Sequence, residues 1–158
     1  RDDWREQVRP LVVSHGWEDG FAPDRSRLHA SFDWTGTDDP SPWLTVPAAV
    51  GLGDALHPDG WPGVRTANHD LALQARDVLC DALAIDPPAP DGMLGAMAAV
   101  PLAGESTGML DPLAAQLREH GFVAAAFGGA RRVLRVSAHR YNSLEEYAAL
   151  AQLLPRLL

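Results

Sequence analysis

Lysine is missing from this chain: all 13 residues counted as lysine plus arginine are arginine. Chemistry built on a lysine amine, such as a Schiff base with a carbonyl compound, cannot be completed by these residues alone. Cysteine is nearly missing too. Cys80 stands alone, which excludes an internal disulfide framework and fits a reducing compartment. No apolar run approaches the roughly 20 residues that a membrane-spanning helix needs. Positive charge is outweighed by 21 acidic residues, giving a net charge of -8 and a pI near 5.0. That balance argues against nucleic acid and anionic membrane as partners. Arg1-Asp2-Asp3-Trp4 reads as no secretory leader, so the cytoplasm is the expected compartment. The first residue is not methionine, and the expectation is a piece of something longer.

What is present suffices for one ordinary domain. The chain has 158 residues, of which 46% are hydrophobic, enough for a real core and too apolar for disorder. Taken in order, residues 2–8 read as a short helix stopped at Pro10. Leu11 to Trp17 reads as a short strand or an extended approach to a loop. A weak helical pattern from Asp24 to Phe32 leads into the loop-forming stretch Asp33 to Pro42. Trp43 to Leu56 is apolar and periodic. Ser41 is the expected N-cap, Pro42 the first helical residue, and Pro47 a kink. Asp59-Gly60-Trp61-Pro62 then starts a longer helix to about Leu83, striped by Val64, Ala67, Leu71, Ala75, Val78, Leu79 and Ala82. Cys80 falls within it, where structural burial is the expected role.

The proline-rich stretch Asp86 to Asp91 reads as a stiff connector. Met93 to Leu102 is a continuous apolar run that predicts a buried strand, followed by a Gly/Ser/Thr turn. Asp111 to His120 predicts a helix, with Asp111 capping and Gly121 closing it. Phe122 to Phe127 and Arg132 to Ala138 predict a hairpin around Gly128-Gly129. Ser143 to Leu158 closes the chain as a helix whose start, Ser143 to Glu146, has capping-box spacing. The predicted class is α+β, a small antiparallel sheet with helices packed on one face. There is no repeat at a fixed period and no low-complexity tract.

Gly104-Glu105-Ser106-Thr107-Gly108 matches G-x-S-x-G, and Asp111, His120 and His139 could complete a triad. A serine hydrolase using Ser106 is therefore one alternative. Against it, the motif is short, and the hydrolase fold needs a larger, mainly parallel sheet, which leaves a surface turn as the favoured reading. The six histidines are scattered, with no spacing that sets two ligands on one face, so no metal site is expected. Thr35-Gly36-Thr37 joins a freed backbone to two hydroxyls ahead of a helix start, a candidate anion site. Asp38 and Asp39 would repel a phosphate and could simply cap the helix. The residues leave both readings open.

In Val133 to Asn142, Leu134, Val136 and Ala138 recur with period two, which predicts a strand with one face on a core. Arg135 and Ser137 then point away from it. A guanidinium held on such a strand fits a carboxylate with two hydrogen bonds. The plain alternative is a solvated charge beside Arg131, Arg132 and Arg140, and this stretch alone favours it.

Together, Phe32 to Asp39, the Leu44 to Ala49 helix, Asn68-His69, Leu134-Arg135-Val136-Ser137 and Tyr141-Asn142 resemble the C-terminal part of class V pyridoxal-phosphate enzymes. Within that aminotransferase family the isopenicillin N epimerase-like members are most similar, and the likeness runs over nearly the whole chain. The resemblance implies a fold-type I enzyme acting at Cα of an amino-acid substrate, with pyridoxal 5'-phosphate held between two domains of a homodimer. It implies that residues 1–40 are the end of the large domain with its crossover loop, and residues 41–158 the C-terminal small domain. The cofactor's lysine would lie upstream, so this fragment alone would be inactive and contribute no catalytic residue. By the resemblance, Arg135 binds the substrate α-carboxylate, and Gly36 and Thr37 contact the cofactor phosphate across the dimer. Desulfurases of this class carry a cysteine in a loop that here, from Phe127 to Arg132, has none, which disfavours that activity. A further alternative is an interaction module derived from such an enzyme and no longer catalytic.

Overall fold

The computed structural model of the chain describes residues 2–17, 24–129 and 131–158. They fall into two compact units, one running through Ala48 and one from Ala49 to Leu158.

The first unit contains helix α1 (Asp2–Gln7), a 3-10 turn at His15–Trp17, helix α2 (Arg27–Phe32) and helix α3 (Ser41–Leu44). Among its described residues no large apolar side chain is buried, and polar bonds tie it together instead. The Ser14 hydroxyl donates to the Ser31 carbonyl at 3.0 Å, and the Arg27 guanidinium donates to the Arg5 carbonyl. Gly16 is required where it lies, because a Cβ there would sit 1.7 Å from the Ala30 carbonyl oxygen. Leu11 to Trp17, expected as a short strand or an extended approach to a loop, forms no strand and runs into the 3-10 turn at its end. Leu11, Val12 and Val13 have no sheet to join and stay exposed.

The expected helix from Trp43 to Leu56 is broken into three short ones, α3, α4 (Val46–Gly51) and α5 (Gly53–Leu56). Pro47 and two glycines lie within or between them and interrupt the hydrogen-bond ladder. Pro40 stands at the cap position, and Ser41 is already helical.

The second unit is built on helix α6 (Gly60–Leu83), the longest element, and helix α8 (Leu144–Leu157). Val64, Asn68, Ala72, Ala75 and Leu79, spaced three and four apart along α6, are buried together with Cys80, whereas Ala82, expected on the stripe, is exposed. On α8 the buried face is Tyr147, Leu150, Ala151 and Leu154. Its start carries the expected capping box, the Ser143 amide donating to the Glu146 carboxylate at 3.2 Å.

Between the two helices in sequence lie strands β1 (Met97–Leu102) and β2 (Ser106–Leu110), helix α7 (Leu113–Glu119), and strands β3 (Ala125–Gly129) and β4 (Arg132–Ser137). The four strands form one antiparallel sheet in the order β1-β4-β3-β2. Strand β2 replaces the turn expected after β1. The apolar run from Met93 opens with a 3-10 turn, so the strand begins only at Met97. It is buried on alternate residues rather than throughout. Ala98, Val100 and Leu102 face a core shared with Leu134 and Val136 of β4, Leu113 and Leu117 of α7, and the buried faces of α6 and α8. One face of the sheet is thus covered by helices and the other is left open, the α+β arrangement that the periodicities predict. The turn between β3 and β4 includes residue 130, outside the described residues.

Candidate functional site

Arg135 lies on β4, which pairs with β1 on one side and β3 on the other. Its cross-strand partners are Ala99 and Ala125, and like them it projects from the face opposite the core. Leu134 and Val136, its neighbours in sequence, are buried at 0% and 4% exposure. A side chain rooted this way cannot swing inward without reversing the strand. Arg135 makes no ion pair among the described residues. Its guanidinium carbon lies 5.4 Å from the centre of the Phe127 ring.

Arg135 borders a hollow of about 810 Å³ that opens where β3 begins and the chain leaves β4 for α8. Ser137, Tyr141, Asn142, Glu146 and Tyr147 also border it. The Tyr147 hydroxyl donates to the Ser137 carbonyl at 2.7 Å and fastens α8 to β4. Asn142 accepts from the His139 amide at 3.1 Å and donates to Glu146 at 3.1 Å, so both ends of its amide are committed. The Glu146 carboxylate is likewise taken up, by Asn142 and the cap of α8. Next to the hollow the His139 and Tyr141 rings stack with centres 4.6 Å apart, and His139 Nδ1 is buried without a partner among the described residues. Asn68, on the buried side of α6, has the same feature at Oδ1, and His69 Nδ1 lies 3.3 Å from the Gly95 carbonyl.

Thr35-Gly36-Thr37 belongs to the other unit. Gly36 has φ 137°, a value side chains rarely tolerate, and the space where its Cβ would project is open. Both threonines are exposed. The Asp39 amide donates to Asp38 at 2.7 Å and the Ser41 amide to Asp39 at 2.9 Å. The bonds from Ser41 also hold the Asp39 carboxyl below the usual carboxylate range. Asp39 thus takes up the first amide of α3, whereas Asp38 bonds only the amide of Asp39 ahead of the helix, and Pro40 at the cap position offers no side-chain bond. The hydroxyls of Thr35 and Thr37 and the amides of Gly36 and Thr37 keep no partner among the described residues.

Ser106 does not sit on a strand-to-helix elbow. It opens β2 opposite Gly129, and its hydroxyl lies at the carboxylate of Asp111. That carboxylate is committed elsewhere. Arg132 donates to it through Nε at 2.6 Å and Nη2 at 3.0 Å, and the Leu113 amide donates at 3.0 Å. Arg132 also donates to the Ala103 carbonyl at 2.7 Å. The acid a triad would need is thus held in a structural ion pair with Arg132. His120 ends α7, exposed, and His139 is stacked on Tyr141, so the triad is not assembled.

In sequence Asp111 suggested a helix cap or the acid of a triad, and Arg132 only a surface charge. Nothing local links residues so far apart in the chain. The same holds for the longer bonds of Arg76, buried in α6, which donates to Asp91 at 2.7 Å and the Ala89 carbonyl at 3.3 Å besides its neighbour in sequence, Asp77, at 2.9 Å. Among the described residues no group of His, Cys, Asp and Glu gathers as metal ligands would, and no helix is long and apolar enough to cross a membrane.

Isopenicillin N epimerase of Amycolatopsis lactamdurans is similar to this chain, 33% identical over 162 residues that take in 95% of the chain and 39% of that protein. The chain therefore spans about two fifths of the length of this curated relative. No family model matches. The chain is thus similar to a part of isopenicillin N epimerase.

Proposed function

We propose that this chain supplies the substrate-carboxylate contact of a pyridoxal-phosphate-dependent, epimerase-like enzyme of class V that acts at Cα of an amino acid. The observation that carries this reading is Arg135. It is an arginine on a strand paired along both edges, with no ion pair among the described residues, at the border of a hollow. Its donors are free for a carboxylate, which two parallel hydrogen bonds would hold in one orientation. The similarity to isopenicillin N epimerase supports an enzyme of this kind, and the coverage of only 39% of that relative supports further residues contributed from outside the chain.

The cofactor must be anchored from elsewhere, because no lysine is present. When bound, it supplies an electron sink for loss of the proton at Cα. The open hydroxyl and amide of Thr37, with the unhindered backbone of Gly36, fit one edge of its phosphate. The partners are then the large domain of the same enzyme, to which residues 1–40 belong, and a second copy whose cofactor Thr37 reaches. The acidic surface and buried single cysteine fit the cytoplasm. The task of this chain's residues is to bind and orient, not to move protons.

The test is Arg135→Ala and Thr37→Ala in the complete enzyme. Losing a charge-assisted pair of hydrogen bonds worth about 1.5–3 kcal/mol should raise KM for the amino acid roughly 10- to 100-fold. Thr37→Ala should speed loss of cofactor on dialysis. An unchanged KM in the first variant removes the assignment of Arg135, and unchanged retention in the second removes that of Thr37.

A further inference from the structure

Three arginines in the second unit are held in place, and they are held in two different ways. Arg76 and Arg132 are fixed by giving up their N–H donors, to Asp77, Asp91 and Ala89 in one case and to Asp111 and Ala103 in the other. Arg135 has only methyl-bearing neighbours directly across the sheet, Ala99 and Ala125, which give a long side chain no lateral support. Phe127 pairs with Val133, two residues back along β4, and is therefore the diagonal neighbour of Arg135 on the same open face. Its ring lies within 5.4 Å of the guanidinium carbon.

We propose that Phe127 is the positioning residue for Arg135, its ring face holding the guanidinium over the sheet while leaving the N–H donors free for a carboxylate. An attraction between a cation and an aromatic face uses the ring's quadrupole and the cation's charge, and no hydrogen bond is consumed. A carboxylate in place of the ring would also fix the arginine, but it would occupy the donors that binding needs. The inference rests on the reading of Arg135 as the carboxylate contact and adds a residue to it. Phe127 touches neither substrate nor cofactor in this account and acts only through Arg135.

The experiment uses the complete enzyme, with KM and kcat for its amino-acid substrate and the inhibition constant of acetate as a carboxylate probe. Phe127→Leu should raise KM and the acetate constant about three- to fivefold, the size of one exposed cation–π contact, with kcat within about twofold. Phe127→Tyr should restore both. Phenylalanine bearing one, two and three ring fluorines at this position should raise both constants step by step, since fluorine drains the ring face with little change of shape. A general packing role would not follow that series, so a flat series, or constants unmoved in Phe127→Leu, overturns the proposal. If Phe127→Leu does not fold, the fluorine series alone decides. An unchanged KM in Arg135→Ala defeats the underlying reading instead. A normal KM in Phe127→Leu beside a raised one in Arg135→Ala defeats only the role of Phe127.

Discussion

Arg132 reaches Asp111 through two donors, Nε at 2.6 Å and Nη2 at 3.0 Å, and the Asp111 side chain it meets is fully enclosed. The pair joins the start of β4 to the segment between β2 and α7, and the Leu113 amide donates to the same carboxylate. A lone charge there would be costly. Removing one partner of a buried pair is destabilising by about 3–5 kcal/mol.

Arg132→Met should therefore lower stability by about 3 kcal/mol at neutral pH, and the loss should depend on pH. The bond from Arg132 is the main reason the Asp111 carboxyl titrates below its ordinary value. A depressed folded value means the pair's contribution is complete above the unfolded value near 4 and disappears as pH falls through the folded one. In the variant, burial acts on Asp111 with less to oppose it and favours the neutral acid, which reverses the slope. Urea midpoints at pH 3, 5 and 7 should show the gap between variant and parent widening upward. A gap that stays constant would refute the account.

Arg76→Met should be far milder. The two carboxylates left behind, Asp77 and Asp91, are 52% and 69% exposed and return to water when the arginine goes. Methionine fills much of the space of the arginine stem. A loss within about 1 kcal/mol is expected, well below that of Arg132→Met under the same conditions. What should change is the connector, because Arg76 also holds the Ala89 carbonyl. Faster hydrogen exchange across residues 86–91 would register it.

Gly128→Ala tests the closeness of β2 and β3. An added Cβ would lie 2.2 Å from the Gly108 carbonyl oxygen and 2.6 Å from the Ser106 hydroxyl, contacts that neither strand can absorb in place. Prising the strands apart should cost at least about 2 kcal/mol. A thermal midpoint equal to the parent's would show that the two backbones are not so close.

Ala84→Gly should stabilise. Ala84 ends α6 with φ 52°, the one non-glycine residue at positive φ among those described, and the Ile85 amide donates back to the Cys80 carbonyl at 3.0 Å. That closure favours glycine because a Cβ is strained in the left-handed region. A gain of about 1 kcal/mol in urea unfolding is the expected result.

The elements legible in sequence are those whose signal is local. Helix α6 announced itself by spacing, α8 by Ser143 and Glu146, and the outward direction of Arg135 by its alternation with Leu134 and Val136. Strand β2 did not, because Ser106 to Leu110 is short, contains a glycine and looks like a turn until β3 pairs with it. The three-way break at α3, α4 and α5 needed Pro47 and the glycines at 51 and 53 to outweigh an apolar period. Phe127 lies over Arg135 only through the register of β3 on β4, which no short window of sequence encodes. The pairing of Arg132 with Asp111, and of Arg76 with Asp91, was obscured for a related reason, since these partners are chosen by the fold rather than by proximity along the chain.

The strand order has a consequence for how the chain is made. The last strand synthesised, β4, occupies an interior position, so β1 has no partner in this sheet until Ser137 has left the ribosome. Until then a half-apolar edge waits open, the kind of surface that chaperones shield and stray chains invade. A translation pause after β1 has emerged and before β4 has would prolong that exposure.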